Sequence, residues 1–149
     1  MRKAIVLSVL FVSGFMFSYG QEKAITQLID QYSLAREKSD TVLLKLILTP
    51  DVDQLVSTGE WRVGIKSAVD GMLKSSAGSS GTRTLSIDKI QMLSATSAIV
   101  DCRYDIQNAD GSIRKMWSSF IVVDEKKVWM IRSIRNMLPS PPAATEPRR

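Results

Sequence analysis

Apolar and polar residues alternate with a helical period in the first part of the chain. Between residues 22 and 38 the apolar positions recur at steps of three and four, which places them on one side of an amphipathic helix. Ser39 and Asp40 then provide capping side chains for a second short helix, Thr41 to Leu48. Pro50 prevents that helix from continuing.

A short strand pair and a third helix follow. The segments "DQLVST" and "EWRVG" flank Gly59 and predict two short strands. The next segment, Ile65 to Ser76, returns to a helical period, and the Ser- and Gly-rich loop of residues 75–81 ends it.

The second half of the chain has no helical period. Four strand-like segments are joined by short connections, and Asp110-Gly111 between two of them is a typical hairpin turn. The four predicted strands are Thr82–Leu93, Ser97–Gln107, Ser112–Val123 and Lys127–Met137. Helices and strands that are segregated along the chain indicate an α+β domain. We expect a curved antiparallel sheet that forms a cup closed by the three helices.

The first 20 residues have the layout of a secretory signal peptide. Arg2 and Lys3 precede an apolar run from residue 4 to residue 17, and small residues lie at Ser18 and Gly20. An uncleaved anchor is the alternative, but the run is shorter than the ~20 residues that span a bilayer. We therefore predict an exported protein, periplasmic or extracellular, with no stable membrane insertion after cleavage.

Cleavage after Gly20 leaves one domain and a tail. Residues 21–138 are long enough for a single core, and the proline-rich residues 139–149 are predicted to be disordered. The mature chain has 18 basic and 15 acidic residues, a net charge of +3, and two of those positive charges are the terminal Arg148 and Arg149. Because no basic run is interleaved with aromatic residues, we expect no nucleic-acid partner.

The residue types that are missing exclude several chemistries. The chain contains no histidine and one cysteine, Cys102. This composition excludes Ser-His-Asp and Cys-His catalysis and the usual zinc ligand sets, so no metal and no cofactor is predicted. Cys102 is in step with Ala98, Val100 and Tyr104, which predicts a buried small apolar residue.

Two segments carry a resemblance to a known family. With "AREKSDTVLLKLILTPDVDQLVSTGEWRVGIKSAVDGML" and the later "KKVWMIRSIRNMLP", the chain resembles the nuclear transport factor 2-like superfamily, which has a cystatin-like fold. Within it the chain is similar to SnoaL-like and ketosteroid-isomerase-like domains, and to small secreted members of unknown function. The resemblance implies homodimers through the outer sheet face. It also implies a pocket between sheet and helices that some members use for catalysis and others for binding.

The faces of the predicted strands give an independent reason to expect a dimer. In the third long strand Trp117, Ser119 and Ile121 share one face, whereas Met116 and Phe120 share the other. Both faces are largely apolar, so the face that does not cover the helices would expose an apolar patch. A second subunit would cover it.

Five residues are the predicted ligand-binding positions of the pocket. They are Tyr32, Trp61, Tyr104, Trp117 and Arg135. An inward Arg135 would favour an anionic ligand group. Asp53 and Glu60 are expected at a solvated rim, as ordinary ionised carboxylates.

No aspartate can be paired with a tyrosine as ketosteroid-isomerase-like catalysis requires, because Asp101 and Asp105 point away from the predicted core. We therefore favour a domain that binds a small, partly apolar ligand. The alternatives are an isomerase-, dehydratase- or cyclase-like enzyme with a buried carboxylate and tyrosine, and a non-catalytic dimeric structural module.

Overall fold

The computed structural model describes residues 2–78 and 81–140, with side chains from Tyr19 onward. It contains three helices and six strands. In chain order they are α1 (Arg2–Lys38), α2 (Thr41–Ile47), β1 (Leu48–Leu55), β2 (Trp61–Val63), α3 (Ile65–Ala77), β3 (Thr82–Ser94), β4 (Ser97–Gln107), β5 (Ile113–Glu125) and β6 (Val128–Met137).

Most predicted elements are present with small changes at their ends. β4 has the predicted bounds, and the predicted helix of residues 22–38 is the second half of α1. Leu48 was expected to end α2 but begins β1 instead. α1 runs without a break through the predicted cleavage point, and most of the predicted tail, residues 141–149, lies outside the described residues. Within the described part of the chain no helix is long and apolar enough to cross a membrane.

The start of α2 follows the predicted capping chemistry. Asp40 Oδ1 accepts hydrogen bonds from the backbone N–H groups of Val42, at 3.0 Å, and Leu43, at 2.9 Å. These bonds satisfy two of the N–H groups that a helix start leaves without partners. Only Leu44 and Ile47 of this short helix are buried, so it is held by one turn of apolar contact and by its cap.

The sheet is mixed, and the expectation of a wholly antiparallel sheet is wrong. Its strand order is β2-β1-β6-β5-β4-β3, in which β3 to β6 form the predicted antiparallel meander. β1 pairs antiparallel with β2 but parallel with β6. Parallel neighbours need a long connection, and here α3 and the meander supply it. α3 follows β1 and β2, so only two of the three helices precede the first strand.

The three helices and the sheet share one apolar core. Phe120 of β5 packs edge-to-face on Tyr32 of α1, with ring centroids 5.1 Å apart. Leu44 of α2 and Met72 of α3 are fully buried in the same cluster. We call the sheet face that contributes to this core the inner face, and the opposite one the outer face.

One irregularity in β6 changes which residues face the core. Ile121 of β5 pairs with Ser133, whereas the next residue, Val122, pairs with Ile131, so Arg132 has no partner on β5. The extra residue shifts the alternation, and Ile131 and Ile134 are both buried in the core. Strict alternation would place Ile131, Ser133 and Arg135 on one face, but the extra residue puts Ser133 and Arg135 on the face opposite Ile131.

Candidate functional site

A cavity of about 310 Å³ lies between the helices and the inner face of the sheet. It is located at one end of the domain, where the last turns of α1 and α3 approach the sheet. Every element except α2 contributes to its lining. The lining residues are Arg36, Gln54, Val56, Ser57, Arg62, Ser75, Gly78, Arg83, Tyr104, Ile106, Arg114, Met116 and Asn136.

The apolar part of the cavity comes from β4 and β5. Tyr104, Ile106 and Met116 form a buried cluster separate from the main core, with Leu85 of β3 packed against it. Tyr104 and Ile106 alternate along β4 as the sequence predicted, and Tyr104 is only 7% exposed. Tyr104, one of the five predicted pocket residues, is thus among the residues that line the cavity.

The polar part of the cavity is dominated by arginine. Four of the described lining residues are arginines, and none of the described ones is Asp or Glu. The four are Arg36 of α1, Arg62 of β2, Arg83 of β3 and Arg114 of β5. Their guanidinium groups are always charged, so the lining carries a concentrated positive charge.

Arg36 is the most deeply placed of these cations, with 6% of its surface exposed. Its Nη1 donates to the Tyr32 hydroxyl at 3.1 Å, and its Nη2 donates to Ser75 Oγ at 3.1 Å and to the Met72 carbonyl at 3.5 Å. Its Nε is buried and has no hydrogen-bond partner among the described residues. Arg36 also forms no ion pair with a described carboxylate.

Tyr32 does not neutralise this cation. Burial raises the pKa of Tyr32 above its ordinary value, although the Arg36 guanidinium acts in the opposite direction. The hydroxyl therefore keeps its proton and accepts the Arg36 hydrogen bond as a neutral group. Tyr32 lies behind the lining rather than in it, so this predicted pocket residue positions Arg36 instead of facing the cavity.

Arg62 is paired with a carboxylate and packs closely against α3. Its Nε lies 3.0 Å from Glu60 Oε1 and its Nη1 donates to Gln54 Oε1 at 3.3 Å. The Glu60 side chain is 57% exposed and is not part of the lining. The Arg62 side chain passes over Gly71 of α3, where any Cβ would overlap it.

Arg83 and Arg114 complete the set from neighbouring parts of the sheet. Arg83 Nη2 donates to the Ser75 carbonyl near the end of α3 at 3.0 Å. Arg114 is exposed at its position on β5, and its Nη2 lies 3.2 Å from Met116 Sδ. No described Asp or Glu forms an ion pair with Arg114.

Three of the five predicted pocket residues lie on the outer face. Trp61, Trp117 and Arg135 do not line the cavity, and the two tryptophans are 53% and 41% exposed. Each tryptophan is next to a residue that is buried on the inner face, Arg62 beside Trp61 and Met116 beside Trp117. Because neighbouring strand residues face opposite sides, both tryptophans lie on the outer face. Arg135 reaches the outer face because of the extra residue at Arg132.

Arg135 also binds Asp53 of β1. Arg135 donates from Nη1 and Nη2 to Asp53 Oδ1 and Oδ2, at 2.9 and 3.2 Å, and Ser133 also donates to Asp53. These bonds, that from Arg135 first, hold the pKa of Asp53 below its usual value. Asp53 is partly buried on the outer face rather than solvated at a rim, but it is ionised as expected.

The four described carboxylates with a shifted pKa are all weaker bases than usual. Each one with a shifted pKa moves downward, and in each case the largest cause is a hydrogen bond from a neighbouring side chain. They are Asp53, Glu60, Asp70 and Asp110. A general base near pH 7 needs a carboxylate pKa that is raised instead.

The described residues also offer no metal or thiol chemistry. They contain no group of three or more His, Cys, Asp or Glu side chains that could hold a metal ion. Cys102 is buried, as predicted, and burial raises the pKa of its thiol to about 12. Such a thiol remains protonated and unreactive.

The sequence did carry a signal for the arginines that its interpretation missed. Arg36 follows Tyr32 by four residues and therefore falls on the apolar side of the helix. Arg83 is in step with Leu85, and Arg114 with Met116. Long cations in phase with apolar residues mark positions where a charge faces the core side.

The arrangement of elements defines a nuclear transport factor 2-like, or cystatin-like, α+β fold, and comparison with solved structures agrees. No protein-family model and no curated protein matches the chain in sequence. An NTF-2 like protein of unknown function from Shewanella oneidensis MR-1 superimposes with a TM-score of 0.68 and 20% identity, covering 78% of this chain and 98% of that one.

Two further structures show the same likeness. An uncharacterized protein with a cystatin-like fold from Caulobacter vibrioides has a TM-score of 0.67 and 18% identity, over 82% of this chain and 92% of that one. A ketosteroid isomerase-like protein from Erwinia carotovora atroseptica has a TM-score of 0.67 and 17% identity, over 80% and 96%. The sequence resemblance is thus confirmed at the level of the fold.

Proposed function

We propose that this protein is a non-catalytic binding domain whose cup-shaped interior holds a small, partly apolar molecule. The observation that carries the proposal is the composition of the cavity. It is open to a ligand and has an apolar part made by Tyr104, Ile106 and Met116. Its described lining contains no carboxylate, and the chain has no histidine. Its volume of about 310 Å³ is at the lower end of the ~300–1,000 Å³ range of small-molecule sites.

The enzymatic alternative lacks its base. One neighbour is named ketosteroid isomerase-like, and that chemistry uses an aspartate base together with a tyrosine and a protonated aspartate. Here Tyr32 bonds to Arg36, and no described residue beside Tyr104 in the lining is Asp or Glu. Arginine is already protonated at neutral pH and cannot accept a further proton, so the described lining offers donors and positive charge but no suitable base.

The structural-module alternative expects a cup filled by its own side chains. The cavity between the helices and the sheet is instead unfilled and accessible, and its lining includes four guanidinium groups. A binding function accounts for the unfilled cavity, whereas a module stabilised only by its own side-chain packing does not.

We also propose that the protein is exported after cleavage at Gly20. Among the described side chains of α1, the first buried residue is Ile25, so cleavage would remove no core residue from this part of the helix. Gln21 Nε2 donates to the Ala95 carbonyl at 2.9 Å and would attach the new N-terminus to the β3–β4 turn.

The outer face supports a homodimer as the third part of the proposal. Five large apolar residues of the three strands β2, β5 and β6 are exposed on this face: Trp61, Val63, Ile113, Trp117 and Met137. An apolar surface on one sheet face is typical of an interface. A second copy of the chain would bury it.

Selective labelling of methionine methyl groups tests the proposed binding directly. Met116 lines the cavity, whereas Met137 lies on the outer face, so the two methyl signals separate cavity binding from surface binding. With a library of neutral and anionic small molecules, we expect some members to shift the Met116 signal at concentrations that leave Met137 unchanged. If no library member moves Met116, or if substrate analogues of isomerases are turned over, the proposal fails.

A further inference from the structure

The lining of the cavity is unbalanced in charge. Four guanidinium groups contribute to it. Glu60, which pairs with Arg62, lies outside the lining and is mostly exposed, and neither Arg36 nor Arg114 forms an ion pair with a described carboxylate. We infer that the ligand is an organic anion, an inference that rests on the proposed binding function. Its carboxylate, phosphate or sulfate group is bound by the arginine cluster, here defined as Arg36, Arg62, Arg83 and Arg114.

Arg36 gives the strongest evidence that the cavity binds an anion. A buried cation costs free energy unless it is paired with a countercharge, and this one has only neutral partners among the described residues. Its Nε donor is buried without a hydrogen-bond partner and belongs to a side chain that lines the cavity. An oxyanion in the cavity would supply both the missing acceptor and the missing charge.

A structural role for the arginines accounts for part of this arrangement. Arg36 donates to the Met72 carbonyl and Arg83 to the Ser75 carbonyl, so both contact the last turns of α3, where cations are favourable. That role leaves the Arg36 Nε donor unused. It also does not explain Arg114, which lies on β5 and whose described side-chain contact is with Met116 Sδ rather than with α3.

The position of Arg114 distinguishes an anion site from a helix cap. It brings a charge to the lining from the sheet side, next to Met116, whereas Arg36 comes from the helix side. Cations that approach one cavity from two layers repel each other unless an anion lies between them. A ligand with a negative group is the simplest species that relieves this repulsion.

The remaining lining fixes the body of the ligand. Tyr104, Ile106 and Met116 provide an apolar surface next to the arginine cluster, and Gln54 and Asn136 provide amide groups. The cavity therefore fits a molecule with one anionic group and a compact apolar or aromatic body. Phenylacetate and phenyl phosphate are suitable probes of the two anion types, and phenylacetamide is a neutral molecule of almost the same shape as phenylacetate.

Calorimetric titration of the full-length mature protein with these three probes tests the inference. We expect at least one anionic probe to bind about tenfold or more tightly than phenylacetamide, because a hydrogen bond to a charged group is worth more than one to a neutral group. The preference of phenylacetate over phenyl phosphate, or the reverse, identifies the type of anion.

Arginine variants show where the preference originates. Arg114 is exposed, so the Arg114→Gln variant should keep its fold and should show an anion preference that is severalfold weaker. Arg36 is buried, so the fold of Arg36→Met is first checked by thermal unfolding. Where that fold is intact, the anion preference should be abolished. Arg103→Gln is the matched control, since it removes an equal charge from the outer face of β4, beside Tyr104. The control should keep the wild-type preference.

The outcomes separate this inference from the function on which it rests. If phenylacetamide binds as tightly as both anions, or if Arg103→Gln lowers the preference as much as Arg114→Gln, the anion inference is overturned while binding in the cavity stands. If none of the probes binds and the Met116 methyl signal is also insensitive to the whole library, the binding function itself fails and the inference with it.

Discussion

Arg135 and Asp53 form a two-pronged ion pair on the outer face, with Nη–Oδ distances of 2.9 and 3.2 Å. The pair joins β1 to its parallel neighbour β6 through two residues that are 82 positions apart in the chain. The Arg135 guanidinium also lies 4.8 Å from the centre of the Trp61 ring, which adds a cation–π contact from β2. One side chain thereby links three strands of the sheet.

Replacing Asp53 by asparagine should destabilise the fold at neutral pH by about 1–2 kcal/mol, because it removes a partly buried charged hydrogen-bond acceptor. The folded-state pKa of Asp53 lies below its unfolded value, so its contribution is present above about pH 4 and is lost as the pH falls through the folded pKa. Urea unfolding from pH 7 to pH 3 should show the wild-type advantage over Asp53→Asn shrinking toward acid.

The control for this experiment is the other aspartate of "DVD". Asp51 pairs with Arg132 at 2.9 Å, but both side chains are well exposed, so Asp51→Asn should cost at most about 0.5 kcal/mol. Equal unfolding free energies for the wild type and Asp53→Asn at pH 7 would show that the pair does not hold β1 to β6.

Gly71 and Arg62 should be energetically coupled. Replacing a glycine inside a helix by alanine normally stabilises it by about 0.5–1 kcal/mol, but a Cβ at position 71 would displace the Arg62 side chain. Gly71→Ala alone should therefore give no gain or a loss, whereas in an Arg62→Ala background the same change should stabilise the fold. A double-mutant cycle measured by chemical unfolding gives the coupling energy. Additivity of the two changes would contradict the contact.

Much of the fold could be predicted from the local pattern of the sequence, since capping at Asp40 and the alternation along β4 depend on near neighbours in the chain. The parallel pairing of β1 with β6 could not, because it joins distant segments. A single extra residue, Arg132, then reversed the face of everything after it in β6, including Arg135.

The candidate site was predictable only in its apolar half. Tyr104 was found because it keeps the strict alternation of a strand with one buried face. The arginines were missed because charged side chains are expected outside, and burial of Arg36 depends on contacts with Met72 and Ser75 of α3 that no local pattern encodes.

The proposed dimer can be tested with one charge on the outer face. Trp117→Glu should convert a dimer to a monomer in sedimentation velocity, because an unpaired carboxylate in an apolar interface must be desolvated. Leu46→Glu is the matched control, since Leu46 is an exposed apolar residue of α2 on the helical side. A wild-type protein that sediments as a monomer at micromolar concentrations, or equal effects of the two variants, would refute dimerisation through this face.

Cleavage of the predicted signal should produce a chain that begins at Gln21. We expect intact-mass measurement of protein recovered outside the cytoplasm to match residues 21–149, and thermal unfolding of that chain to be cooperative because Ile25 and the later core residues of α1 are kept. A recovered chain that still contains residues 1–20, or one found only in the cytoplasm, would rule out this processing.

We propose that the cavity between helices and sheet holds a small anionic molecule. Native mass spectrometry of the protein purified from its own cells, followed by release and identification of any bound compound, tests this most directly. We expect one compound, with a carboxylate, phosphate or sulfate group on a compact apolar body, that is lost from Arg36→Met and retained by Arg103→Gln. Recovery of a ligand-free wild-type protein, or of a neutral compound equally retained by both variants, would contradict it.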